Sequence, residues 1–137
     1  MAPEVFKFHL WVREIIFGFK LTAVGIEKVE QLLEKCAAPA GRKALAEQTG
    51  IADGLILKWA NHADLFRIKG VGPQFAELLE ASGVDTVKEL KHRVPENLQA
   101  KLEEVNAVKH LVRRVPALKE VVKMVEQAKA LPAVMTY

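Results

Sequence analysis

An all-α fold is predicted by three observations. Strand-like alternation is absent along the 137 residues, apolar residues recur at helical spacing, and Pro, Gly and Asp punctuate the chain where helices start and stop. Pro3 is placed to begin a helix over residues 4–22. Gly25-Ile26 reads as a turn, and Ile26, Val29, Leu32 and Leu33 mark the next helix. Ala38-Pro39-Ala40-Gly41 reads as a break before a short helix carrying Ala44, Leu45 and Ala46, which Thr49-Gly50 closes. Asp53 is the expected N-cap of a helix carrying Leu55, Ile56 and Trp59. After Asn61-His62, the run Arg67-Ile68-Lys69-Gly70-Val71-Gly72-Pro73 reads as a tight turn entering a helix to about Ala81, because Pro at a first helical position is pre-set for helix entry. Gly83 ends that helix and Asp85 is expected to cap Thr86–Arg93. Pro95 and Pro116 open two further segments, the last reaching about Ala130, with a tail over 131–137.

Length and composition narrow the class. A chain of this size forms one compact domain, 1–137, with room for a sizeable core. Hydrophobic content of 50% with 27% charged residues is that of a soluble globular protein. The net charge of +3 permits an acidic partner without demanding one. The single Cys36 forbids an intrachain disulfide and reads as a small buried apolar residue rather than a nucleophile. The apolar N-terminal stretch contains Arg13, Glu14 and Lys20 and lacks a small-residue cleavage site, so no signal peptide is expected. No run is long and apolar enough to span a membrane. A cytoplasmic setting is the expectation.

An internal repeat carries more information. Shifted by 58 positions, Gly25-Ile26-Glu27-Lys28-Val29-Glu30-Gln31-Leu32 lies on Gly83-Val84-Asp85-Thr86-Val87-Lys88-Glu89-Leu90. The same register pairs Leu10 with Ile68, Phe17 with Phe75, Leu21 with Leu79 and Ala23 with Ala81, keeping apolar or small character at core-facing positions. Repeat one spans about 5–62 and repeat two about 63–130. Between these shared positions the copies diverge. Lys69, Gly70, Val71, Gly72 and Pro73 face Trp11, Val12, Arg13, Glu14 and Ile15, so copy one has neither glycine of the tight turn. Four of the six Phe and one of the two Trp fall between residues 6 and 19. Two readings follow: a docking surface, since large exposed apolar patches mark interaction sites, or packing of Trp11, Ile15 and Phe19 against Val121, Val122, Met124 and Val125.

Tandem units with an apolar-x-Gly-apolar-Gly turn resemble helix-hairpin-helix proteins. More narrowly, Pro39-Ala40-Gly41-Arg42-Lys43 through Leu57-Lys58-Trp59, then His62 to Gly72, resembles a bacterial family of unknown function with tandem helix-hairpin-helix repeats. Val84–Leu90, Pro95-Glu96-Asn97-Leu98 and Glu126–Pro132 resemble it too, so the likeness covers roughly residues 25–137. It implies two helix-hairpin-helix-like repeats packed as one helical domain. It further implies a likeness to the DNA-binding region of flap endonucleases. The first hairpin departs from that pattern; a local rewrite over an intact scaffold is also what engineering of a binding surface would leave.

His9, His62, His92 and His110 are scattered without ligand spacing, and one Cys does not make a zinc site. The acids mostly alternate with bases on helix faces, as solubility requires, and no Ser/His/Asp or Cys/His arrangement can be assembled. No catalysis, metal or cofactor is expected. The leading expectation is a non-enzymatic binding module whose N-terminal helix offers Phe8, Trp11, Val12, Ile15, Ile16 and Phe19 to a protein partner or to its own twin. The alternative is weak, sequence-independent binding of duplex DNA. The N–H groups of Gly70, Val71 and Gly72 at a helix start, with Lys69, Arg113 and Arg114, would take phosphates.

Overall fold

Burial and local backbone signals place the elements of the computed structural model, which describes residues 23–26 and 28–137. Every regular element among the described residues is a helix: α1 Val29–Cys36, α2 Pro39–Thr49, α3 Asp53–Leu65, α4 Pro73–Ala81, α5 Val87–Leu90, α6 Pro95–Lys109 and α7 Leu118–Ala130. The helix expected over residues 4–22 lies outside the described residues. The chain divides into two compact units: the first ends at Asp64 and takes back Val134–Tyr137, and the second is Leu65–Ala133. Among the described residues no helix is long and apolar enough to cross a membrane.

In the first unit, α1 buries Val29, Leu32 and Cys36, one face at helical spacing, and packs on α2. Gln31 at the third helical position reaches back, its Oε1 accepting from Lys28 N at 2.9 Å, which is half of a capping box. Gly41 lies inside α2, where a Cβ would overlap the Lys35 carbonyl. Its role is close approach of the two helices, not chain breaking. The next residue, Arg42, is buried and donates from Nη1 to the Cys36 and Ala37 carbonyls at 2.9 and 3.1 Å. Those carbonyls are among the acceptors that the end of α1 leaves without intrahelical donors. Arg42 Nη2 also holds the Thr136 carbonyl at 2.9 Å, and Thr136 N donates to Ala37 O at 2.8 Å. The guanidinium lies 5.4 Å from the Tyr137 ring centre, while the Tyr137 hydroxyl donates to Asn61 Oδ1 at 2.9 Å.

The second unit is built on one contiguous apolar cluster that includes Leu65, Ile68, Val71, Phe75, Leu79, Leu90, Leu102 and Val125. In it α6 packs against α4 and α7, and α5 packs against α7. The end of α4 is closed by Gly83 at φ 93°, with Val84 N donating to Leu79 O at 2.8 Å. The 58-residue register has a local counterpart in the backbone. Gly25 and Gly83 both take positive φ, 86° and 93°. Ile26 and Val84 are fully buried, and Lys28 and Thr86 are both extended residues preceding a helix.

Five boundaries differ from the sequence reading. The cap of α5 is Thr86, whose Oγ1 accepts from Glu89 N at 3.3 Å, and the helix is a single turn. Asp53 is the first residue of α3 rather than its cap, since Leu55 N and Ile56 N both donate to Ala52 O. Pro39 opens α2 directly, with Ala38 before it. Pro116 is buried two residues ahead of α7, where Ala117 is the flanking residue. Helix α3 also continues through Asn61 and His62 to Leu65, because residues 59–65 are all buried and staying helical satisfies their backbone. Gly41→Ala is expected to destabilise the protein by about 1–3 kcal/mol in urea unfolding, because overpacking against a backbone carbonyl outweighs the roughly 1 kcal/mol helix-propensity gain.

Candidate functional site

Ile68 and Val71 are both buried in the second core, three residues apart. The two residues between them, Lys69 and Gly70, are exposed. Val71 N donates to Ile68 O at 3.2 Å, closing a four-residue turn. Gly70 takes φ 95° at its third position, as a type II turn requires. A side chain there would be strained whatever space surrounds it. Lys69 N donates to Gln127 Oε1 at 3.0 Å, tying the turn to α7. Gly72 then precedes Pro73 at the start of α4, extended at φ −101° and ψ −176°.

Two adjoining grooves open at this turn. The first, about 500 Å³, is lined by Lys69, Gly70, Phe75, Val112, Arg114, Pro116, Glu120, Lys123, Met124 and Gln127. The second, about 440 Å³, is lined by Gly72, Gln74, Phe75, Leu111, Val112 and Arg113. The linker between α6 and α7 is therefore the far wall of both. Asn106 holds that linker in place: its Oδ1 accepts from Leu111 N and Val112 N at 2.8 and 3.0 Å, and its Nδ2 donates to Val112 O at 3.0 Å. His110 ends α6 at φ 51°, the one non-glycine residue in the left-handed region among those described. On α7, Glu120, Lys123, Met124 and Gln127 form a stripe at i, i+3, i+4 and i+7 that walls the first groove. Val121, Val125 and Ala128 face the core.

Arg114 Nη2 donates to both Glu120 oxygens, at 3.1 and 3.3 Å, and Ala117 N donates to Glu120 Oε2 at 3.0 Å. Hydrogen bonding from Arg114, then from the Ala117 amide, holds the Glu120 carboxyl below its usual pKa. In the first unit, burial pushes the Cys36 thiol up to about 11, against the smaller opposing influence of Arg42 and Lys35. A thiol so held is protonated near neutrality and a poor nucleophile. No group of three His, Cys, Asp or Glu among the described residues is placed to hold a metal ion.

The structure thus gathers five of the six phosphate candidates at these grooves: Lys69, Gly70 and Arg114 at one, Gly72 and Arg113 at the other. Val71 is the exception, for it is buried and its N–H is already given to Ile68 O, so it has no amide to offer a ligand. Phe8, Trp11, Val12, Ile15, Ile16 and Phe19 lie outside the described residues. Asn106, Glu120 and Gln127 are not among the sequence candidates. Of these, the α7 residues have helical spacing, but their mixed chemistry gives no hydropathy pattern that would mark them.

Fold and site together define an all-helical protein with a glycine turn leading into a helix beside a mostly cationic groove. A family model described as a domain of unknown function (DUF4332) matches residues 18–131, and the chain belongs to that family. No curated protein and no solved structure matches it. Asn106→Ala is expected to lower stability by about 2 kcal/mol, from three linker hydrogen bonds at roughly 0.5–1.5 kcal/mol each less a small helix-propensity gain. Faster amide exchange at Leu111 and Val112 checks that the loss is local.

Proposed function

We propose that this protein is a non-enzymatic helix-hairpin-helix module that binds the sugar–phosphate backbone of duplex DNA without sequence preference. The observation carrying this reading is Gly72. Its φ of −101° is open to any residue, and a Cβ added there meets nothing within 4 Å, so neither backbone strain nor packing explains the glycine. A glycine at the mouth of a helix N-terminus, in open space, suits close approach of a phosphate to the backbone. Gly also serves acceptably as an N-cap, but the neighbouring Lys69, Arg113 and Arg114 add what a cap does not need. Backbone amides and exposed cations read phosphate rather than base edges, so affinity without sequence preference follows.

With few phosphates neutralised, affinity for a labelled duplex should fall with salt at a log–log slope of about −2 to −4. Gly72→Glu should weaken binding by about tenfold or more with the melting temperature unchanged, because the side chain has room. Fluorescence anisotropy reads both, and absence of binding at low salt overturns the reading.

A second reading rests on the concentration of four of the six Phe and one of the two Trp within residues 6–19. We propose self-association or protein docking through Phe8, Trp11, Val12, Ile15, Ile16 and Phe19. Trp11→Ala should weaken that association by about 2 kcal/mol or more in sedimentation velocity while the far-UV spectrum stays helical; loss of helicity instead would make Trp11 a core residue.

A further inference from the structure

Among the described residues, Glu120 is the one acid lining the first groove, beside three cations, Lys69, Arg114 and Lys123. Its carboxylate engages Arg114 from within the groove through both oxygens. The same carboxylate accepts from Ala117 N, so the start of α7 fixes where it sits. A phosphate oxygen approaching Arg114 meets a guanidinium already paired with an anion. We propose that Glu120 is a built-in counter-ion that holds down the groove's affinity for a phosphodiester by occupying Arg114. This rests on the DNA-backbone reading above and assigns Glu120 an affinity-setting part in it.

The contact is weak enough to be displaced and strong enough to be felt. Only Nη2 of Arg114 takes part, shared between two oxygens, which is a poorer match than the fork-to-fork pairing a guanidinium makes with carboxylate or phosphate. The Arg114 side chain is mostly exposed and that of Glu120 partly so, and their attraction is screened. Polyanion binding depends on how many protein cations replace counterions along the backbone. An arginine neutralised by a carboxylate of the neighbouring helix contributes little to that number, and releasing it adds about one.

The test uses Glu120→Gln, which keeps an oxygen for the Ala117 amide, removes the charge and replaces the other acceptor facing Arg114 by a donor. Glu126→Gln is the control: the same helix and charge change, but an acid paired with Lys129 at 3.5 Å and not among the groove's lining. Binding of a short labelled duplex is measured across a salt series for the wild type, both variants, Arg114→Ala, and Glu120→Gln with Arg114→Ala; circular dichroism melts confirm folding. Glu120→Gln should tighten binding several-fold at low salt and steepen the log–log salt slope by about one unit. Glu126→Gln should leave the slope unchanged. Adding Arg114→Ala should erase the gain, while Arg114→Ala alone changes the slope little. Equal effects of Glu120→Gln and Glu126→Gln would reduce the effect to net charge and overturn the proposal. Weaker binding by Glu120→Gln would overturn it as well, making Glu120 a positioner of Arg114. If neither wild type nor Glu120→Gln binds at low salt, the DNA reading itself falls; if wild type binds and Glu120→Gln matches it, only the counter-ion does.

Discussion

The second unit depends on burying Ile68 and Val71 in the same core while only two residues separate them. The chain must leave the apolar interior, reverse, and return within that span. The closing bond from Val71 N to Ile68 O and the positive φ of Gly70 are the backbone's way of doing so. Lys69 and Gly70 are exposed as a result, and Gly72 falls at the mouth of α4. The polar site is thus a by-product of apolar burial. Its exposed part is held at the level of the core by side chains that are fixed themselves.

Helix α7 makes the connection between core and groove. Val121, Val125 and Ala128 anchor it, so the stripe offset from them has a fixed height and direction. From that stripe Gln127 reaches the Lys69 amide, and Glu120 reaches Arg114 and the helix start. The opposite wall is set by Asn106 on α6, which gathers the linker amides that would otherwise be unpaired. Positions of charge here follow from side-chain-to-backbone bonds, which cost less conformational freedom than pairing two long exposed side chains.

How far the sequence reveals this differs by level. Helices ending at Gly50 and Gly83, or beginning at Pro73 and Pro95, carry a local signal that allows one reading, and the observed helices have those ends. Boundaries moved where a residue type fits several positions. A proline serves at the first helical position or ahead of it, as Pro39 and Pro116 do, and Asp85-Thr86 offers two adjacent caps. Of the site, Lys69, Gly70, Gly72, Arg113 and Arg114 were visible because glycine spacing and cationic charge are legible one residue at a time. Asn106 and Gln127 were not, since each acts through a bond to a distant backbone group; Gln127 and Lys69 are separated by 58 residues. The α7 stripe had helical spacing, but its mixture of acid, base, thioether and amide leaves no hydropathy pattern to find. Val71 departs from the expectation because its amide closes the turn onto Ile68 O instead of standing open at the start of α4.

Residues 134–137 return to a unit whose other described residues precede Leu65, and this bears on how the protein is made. Arg42 leaves the ribosome well before Thr136, its partner 94 residues later in the chain. Through that interval the end of α1 has the guanidinium but not the strap that Thr136 supplies. Closing a flexible loop of such length would cost roughly 4 kcal/mol. A second unit already folded by then shortens the search, because its two ends no longer wander independently. Folding of the inserted unit therefore eases the fastening of the outer one, although its last residue, Ala133, precedes Thr136 by only three positions.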